Sequence, residues 1–185
     1  IEATAAQTGL LIISGKTDII LTNEGSVSGG LEVSNSRTNS TGVFIDNSGT
    51  ISGSKGIYVD SSSDISGGID NSGTISGRYG IYVDTYSDIT GVIKNSGIIS
   101  GDIAAGIHLE TSSDISGGID NSGTINGDTV GIKVQSSSNI SGGIDNDALS
   151  LARTNYNAQG IIETVQDTVR VTRIIDRTVF IPAPQ

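Results

Sequence analysis

The sequence predicts an all-β chain wound as a right-handed parallel β-helix, a β-solenoid of about six coils of 24–26 residues, followed by a non-repeat strand tail. Three observations carry this prediction. First, the tripeptide Asn-Ser-Gly or a near-twin begins at Asn23, Asn47, Asn71, Asn95 and Asn121, with a decayed copy at Asn146, in steps of 24, 24, 24, 26 and 25 residues. Self-similarity at such a period marks a solenoid, in which each unit is one turn of a coil and buries its apolar side only against its neighbours. Second, the apolar residues inside each unit are nearly all Ile, Val or Leu, in short bursts bounded by Gly, Ser, Asn and Asp. That is strand-and-turn chemistry with no 3.6-residue stripe, which excludes helix over this span.

Third, stacking the units turns spacing into columns. Leu21, Ile45, Ile69, Ile93, Ile119 and Ile144 form one, and Val27, Ile51, Ile75, Ile99 and Ile125 a second. The pairs Leu31/Val33, Ile57/Val59, Ile81/Val83, Ile107/Leu109 and Ile132/Val134 form a third, each pair flanking one outward residue as strand alternation requires. Three columns imply three faces per turn. At about 3.3 Å per residue a unit has a perimeter of roughly 80 Å, and a rise of about 4.8 Å per turn makes the rod body on the order of 30 Å long.

Taken in chain order, residues 1–18 read as an N-terminal cap or assembly strand, with the apolar stretch Leu10, Leu11, Ile12 and Ile13 at its centre. Residues 19–147 are the repeats. The glycine pairs Gly29-Gly30, Gly67-Gly68, Gly117-Gly118 and Gly142-Gly143 supply backbone freedom where the coil bends. Asn47, Asn71, Asn95 and Asn121 lie two residues past an inward Ile, so their amides are expected to point into the corner and hydrogen-bond the next coil's backbone as a ladder. Residues 148–185 form a linker, read as a short helix or irregular segment, and then a strand segment. Its alternation places Val169, Arg170, Val171, Arg173, Ile175, Arg177, Val179 and Ile181 on one or two extended strands, which Pro182 and Pro184 stop.

A solenoid ends in unpaired strand edges, so these two flanking segments are the assembly candidates. Either both fold back as caps on their own rod, or one chain's tail pairs with the next chain's open coil and builds a head-to-tail fibre. Charge bears on partners. Residues 1–150 hold 17 acidic and 6 basic side chains, net −11, and residues 151–185 hold 3 and 4, net +1, which sum to −10. Nucleic acid is a poor partner for that surface, because phosphate binding needs clustered Lys and Arg. An acidic rod with an Arg-bearing tail suits contact with another copy of itself.

The chain has no Cys, so neither disulfides nor thiol chemistry is available, and no transmembrane segment or signal peptide is read from it. Met is absent even at position 1, from which the chain is expected to be a piece of something longer whose signal or anchor has been removed. His108, the lone histidine, sits between inward Ile107 and Leu109 and is expected to face solvent without binding metal. The column Asp60, Asp84 and Glu110 is a weak cation candidate, since carboxylates about 4.8 Å apart repel unless screened. The calcium-binding Gly-Gly-x-Gly-x-Asp nonapeptide is absent, so solvated strand-end charge is the expectation there. Ser61-Ser62-Ser63, Ser136-Ser137-Ser138 and Thr50/Thr74/Thr124 are read as outward residues that keep the sheets soluble.

The phrase Gly68-Ile69-Asp70-Asn71-Ser72-Gly73-Thr74-Ile75-Ser76-Gly77 and its copies resemble the repeats in passenger regions of autotransporter-type surface proteins and related large bacterial adhesins, over roughly residues 19–147. The resemblance implies secretion to the bacterial cell surface and an adhesive, aggregative or scaffold role. No membrane barrel follows the repeats, which departs from that pattern. Enzymes on β-helices carry converging carboxylates with Lys, Arg or Tyr in a groove built by long loops. Here the repeats differ by only two residues and the outward column Glu32, Tyr58, Tyr82, His108 and Lys133 is mixed and flat. The expectation is therefore a non-catalytic extracellular stalk, adhesin segment or fibre subunit that needs no cofactor and self-associates. The alternative is a monomeric rod that binds a glycan or protein on a host or neighbouring cell.

Overall fold

The computed structural model describes residues 2–3, 6–7, 11–14, 19–34, 42–135 and 137–146, and the described residues contain strands and no helix. Every pairing is parallel, and the strands fall into sheets of seven, ten and three. Five full turns separate Asn23 from Asn146, because six asparagines bound five intervals.

The columns are register partners. Leu21, Ile45, Ile69, Ile93, Ile119 and Ile144 face one another in succession along the seven-stranded sheet. Val27, Ile51, Ile75, Ile99 and Ile125 do so in the ten-stranded sheet. The paired column runs from Leu31/Val33 to Ile132/Val134 in that same sheet. Nearly all of these side chains are fully buried, with Ile132 and Ile144 of the last turn partly so. Burying each aliphatic side chain favours the coil by about 1.5–3 kcal/mol, which in a one-dimensional stack accrues turn by turn.

The division into faces differs from the expectation. Thr50–Asp60 and Thr74–Val83 are unbroken strands that carry the second and third columns in one sheet. The remaining sheet is built on a column not singled out in the sequence: Asp88–Ile89, Asp114–Ile115 and Asn139–Ile140, joined by an Asp64 bridge to Asp88. Ile65, Ile89, Ile115 and Ile140 are its buried residues. Beside them runs a serine ladder, in which the backbone N–H groups of Ser63, Ser87 and Ser113 donate to the Oγ of Ser87, Ser113 and Ser138 at 3.1, 3.2 and 3.0 Å. Ser63 and Ser138, expected to point outward, are therefore buried, because each closes the backbone account of its corner.

Two kinds of corner turn the chain. Gly68 has φ +91°, where a Cβ would also run into the Val92 carbonyl, so glycine is required. The other corner uses consecutive left-handed residues that are not glycine: Ser61 and Ser62, Thr85 and Tyr86, Thr111 and Ser112, all with φ between 55° and 59°. Each costs roughly 1–2 kcal/mol relative to the right-handed region. Asp84 Oδ1 offsets part of this by accepting from the Thr85 N–H at 2.7 Å.

At the N-terminal end, Glu2–Ala3, Ala6–Gln7 and Leu11–Ser14 lie in register with Thr22–Asn23, Ser26–Val27 and Leu31–Ser34. Leu11, Ile12 and Ile13 thus belong to a further turn, stepped by 20 residues from Glu2 to Thr22. Leu10, Ser136, the linker, and the tail residues Val169, Arg170, Val171, Arg173, Ile175, Arg177, Val179 and Ile181 lie outside the described residues.

Candidate functional site

Two features run the length of the rod. The first is the buried asparagine ladder. Nδ2 of Asn23, Asn47, Asn71, Asn95 and Asn121 donates to Oδ1 of the asparagine one turn on, at 2.6, 2.7, 2.7, 2.6 and 2.6 Å. The ladder is present, but its shortest bonds run amide to amide where backbone partners were expected; Nδ2 also reaches the next turn's backbone at longer range, as Asn71 does at Ile98 O, 3.2 Å. The rest of the phrase follows from the same corner. The N–H groups of Ser72 and Gly73 both donate to Asn47 O, at 2.9 and 3.0 Å. A Cβ on Gly73 would overlap the Gly49 carbonyl of the turn below, so only glycine fits that seam.

The ladder has one defect. Oδ1 of Asn23 is buried and has no hydrogen-bond partner. Its register neighbour is Ala3, a residue with no side-chain amide to donate. An unsatisfied buried acceptor costs about 1–3 kcal/mol.

The second feature is the outward face of the ten-stranded sheet. Alternation aims Tyr58, Tyr82 and His108 away from the core, and the parallel register stacks them. Tyr58 and Tyr82 lie 5.4 Å apart at 9°, and Tyr79, three residues earlier in the same strand as Tyr82, stacks on Tyr82 at 4.8 Å. His108 leans on both Tyr79 and Tyr82 at 5.1 Å. Lys55 Nζ lies 3.3 Å from the Tyr58 ring centre and 5.1 Å from that of Tyr82, on the side of Tyr58 that faces Tyr82.

This cluster corrects the reading of His108, which is 3% exposed. It does point outward, but Tyr79 and Tyr82 cover the ring and Nε2 lies 2.8 Å from Gln135 Oε1. Burial holds the imidazole below its ordinary value; Lys133 adds to the effect, while the Gln135 bond, Glu110 and Asp84 oppose it. The neutral ring is thus favoured at physiological pH.

The structure also gathers part of the acidic column. The Tyr82 hydroxyl lies 2.9 Å from Glu110 Oε2 and 3.1 Å from Asp84 Oδ2, so it donates into a pair of carboxylates. Burial first, then those two acids, push the Tyr82 phenol well above its usual range, and burial with Asp60 does the same to Tyr58. Burial tends to raise Asp60, but hydrogen bonds from Thr85, Ser61 and Tyr58 outweigh it and hold that carboxyl low. Asp60, Asp84 and Glu110 are engaged by these donors, and no group of three or more metal-ligating side chains arises among the described residues.

Chemically the face is a cluster of rings in mutual contact, in which Tyr82 lies against Tyr58, Tyr79 and His108. A shallow groove lined by Val92, Gly118, Asp120, Gly142 and Asp145 lies along the seven-stranded sheet and includes none of the aromatic cluster. No family profile, curated protein or solved structure matches the chain. The class defined by the fold is a β-solenoid repeat protein.

Proposed function

We propose that this chain is a non-catalytic structural rod, a stalk or fibre subunit of a bacterial cell surface, that lengthens by joining its ends. The observation that carries the reading is the unbroken stacking of the seven- and ten-stranded sheets, with an internal amide ladder, through every full turn. That architecture gives stiffness along one axis, and among the described residues its terminal strands are paired on one side only. Such edges are templates for strand addition. The acidic repeats supply sideways repulsion that favours end-on contact. The likeness of the repeat phrase to autotransporter passenger regions supports a secreted, surface location.

Light scattering and electron microscopy across a concentration series test the proposal. Filaments one rod wide that lengthen with concentration are the expected result, and a species that stays monomeric throughout overturns it.

A further inference from the structure

We propose that the last turn of one copy, Ile144–Asn146 and its sheet neighbours, takes the place of residues 2–14 against the first full turn, Ile20–Asn23, of the next copy. This rests on the end-to-end reading above and specifies its joint. Four features of the two ends match. The first is the orphaned Asn23 Oδ1. In every earlier turn the asparagine amide donates to the Oδ1 above it, and Asn146, which accepts from Asn121, holds the next position in that series. Setting Asn146 against Asn23 supplies the missing donor in the same direction as every other rung, whereas Ala3 supplies none.

The second match is charge. The outward column of the third apolar pair reads Glu32, Tyr58, Tyr82, His108 and Lys133. It begins with an anion and ends with a cation, so stacking one copy on another puts Lys133 beside Glu32. Within one copy, residues 2–14 set Ile12 opposite Glu32, which offers no counter-charge. On the seven-stranded sheet the outward column begins at Thr22 and ends at Asp145, so the joint there places a hydroxyl, not a second carboxylate, beside Asp145. The third match is apolar: Ile144 meets Leu21, Ile125 meets Val27, and Ile132/Val134 meet Leu31/Val33, which continues each core column across the boundary. The fourth is the poor fit of the turn to be displaced. Its step is 20 residues where the repeats use 24–26, and two of its three strands are only two residues long.

The chain contains no cysteine, so an introduced pair reports the joint directly. Within one copy positions 32 and 133 are four turns apart, roughly 19 Å at about 4.8 Å per turn, too far for a disulfide, which needs Cα atoms about 4.4–6.8 Å apart. Across the proposed joint they are adjacent strand neighbours. Mild oxidation of the full chain carrying Glu32→Cys and Lys133→Cys is expected to give a reducible ladder of dimers, trimers and longer species on a gel, and Glu32→Cys with Asp145→Cys is expected to give none. As a second measurement, Glu32→Lys should slow filament growth and Glu32→Lys with Lys133→Glu should restore it. Filaments that form without the 32–133 link and ignore the charge exchange overturn this joint while leaving end-to-end assembly standing. Absence of filaments in the unaltered chain overturns both.

Discussion

The asparagine ladder and the outer aromatic stack are both axial columns made by the same parallel register, yet one is uniform and the other is not. In the ladder, every full turn offers the same amide at the same depth, and the bond lengths vary by only 0.1 Å, from 2.6 to 2.7 Å. On the outer face the equivalent positions are Glu, Tyr, Tyr, His and Lys, and contact is achieved by whatever rings and charges happen to adjoin. The difference teaches where the repeat is constrained. A buried polar group is costly unless satisfied, so its column tolerates one solution. A water-facing column tolerates many.

Ordered by expected effect, substitutions test that contrast. Ile75→Asp places a charge in the second core column, between Ile51 and Ile99, and costs several kcal/mol. The β-signal in circular dichroism should be lost altogether. Asn71→Ala removes two amide-to-amide bonds and strands Nδ2 of Asn47 and Oδ1 of Asn95, a loss of about 2–4 kcal/mol read as a lower urea midpoint. Asn23→Ala should cost clearly less, because its own Oδ1 is already unpartnered. Equal losses for the two would break the ladder argument. Tyr82→Ser, an outward change, should keep the fold but lower stability by about 1–2 kcal/mol through lost ring stacking over Tyr58, Tyr79 and His108.

The smallest expected effect is acid sensitivity at His108. Its folded value lies below the ordinary 6.5, so the unfolded chain takes the proton first and stability rises with pH. The contribution is complete above about pH 7.5 and is lost as pH falls through 6.5 toward the lower folded value. Melting temperature should decline across that window in the unaltered chain and hold steadier in His108→Gln.

Much of the fold was legible because the signal lay in spacing: Ile69 and Ile93, 24 residues apart in the chain, are direct register partners. The third sheet escaped because its unit is a single Ile flanked by polar residues, as in Ser63-Asp64-Ile65, with strands of two residues. A count at the same period finds it, since Ser63, Ser87, Ser113 and Ser138 recur in steps of 24, 26 and 25. The burial of His108 was not legible, because alternation fixes which way a side chain points but not what leans over it; Tyr79 leans across from the neighbouring strand of the previous turn. The left-handed corners at Ser61-Ser62 and Thr85-Tyr86 were hidden because positive φ is ordinarily read from glycine.

The glycine seam has a consequence for how such a chain changes length over time. Gly73 fits because it carries no side chain: the Gly49 carbonyl beneath it sits where a methyl would go. Duplication or deletion of a complete repeat preserves that nesting at every level, while gain or loss of part of one, at the corner, sets a side chain against a carbonyl. Two extra residues are absorbed at Asp102–Ala105, a bulge away from the seam where Ile103 juts into water. The molecule's length is therefore an integer quantity, adjustable by gene copying in whole storeys.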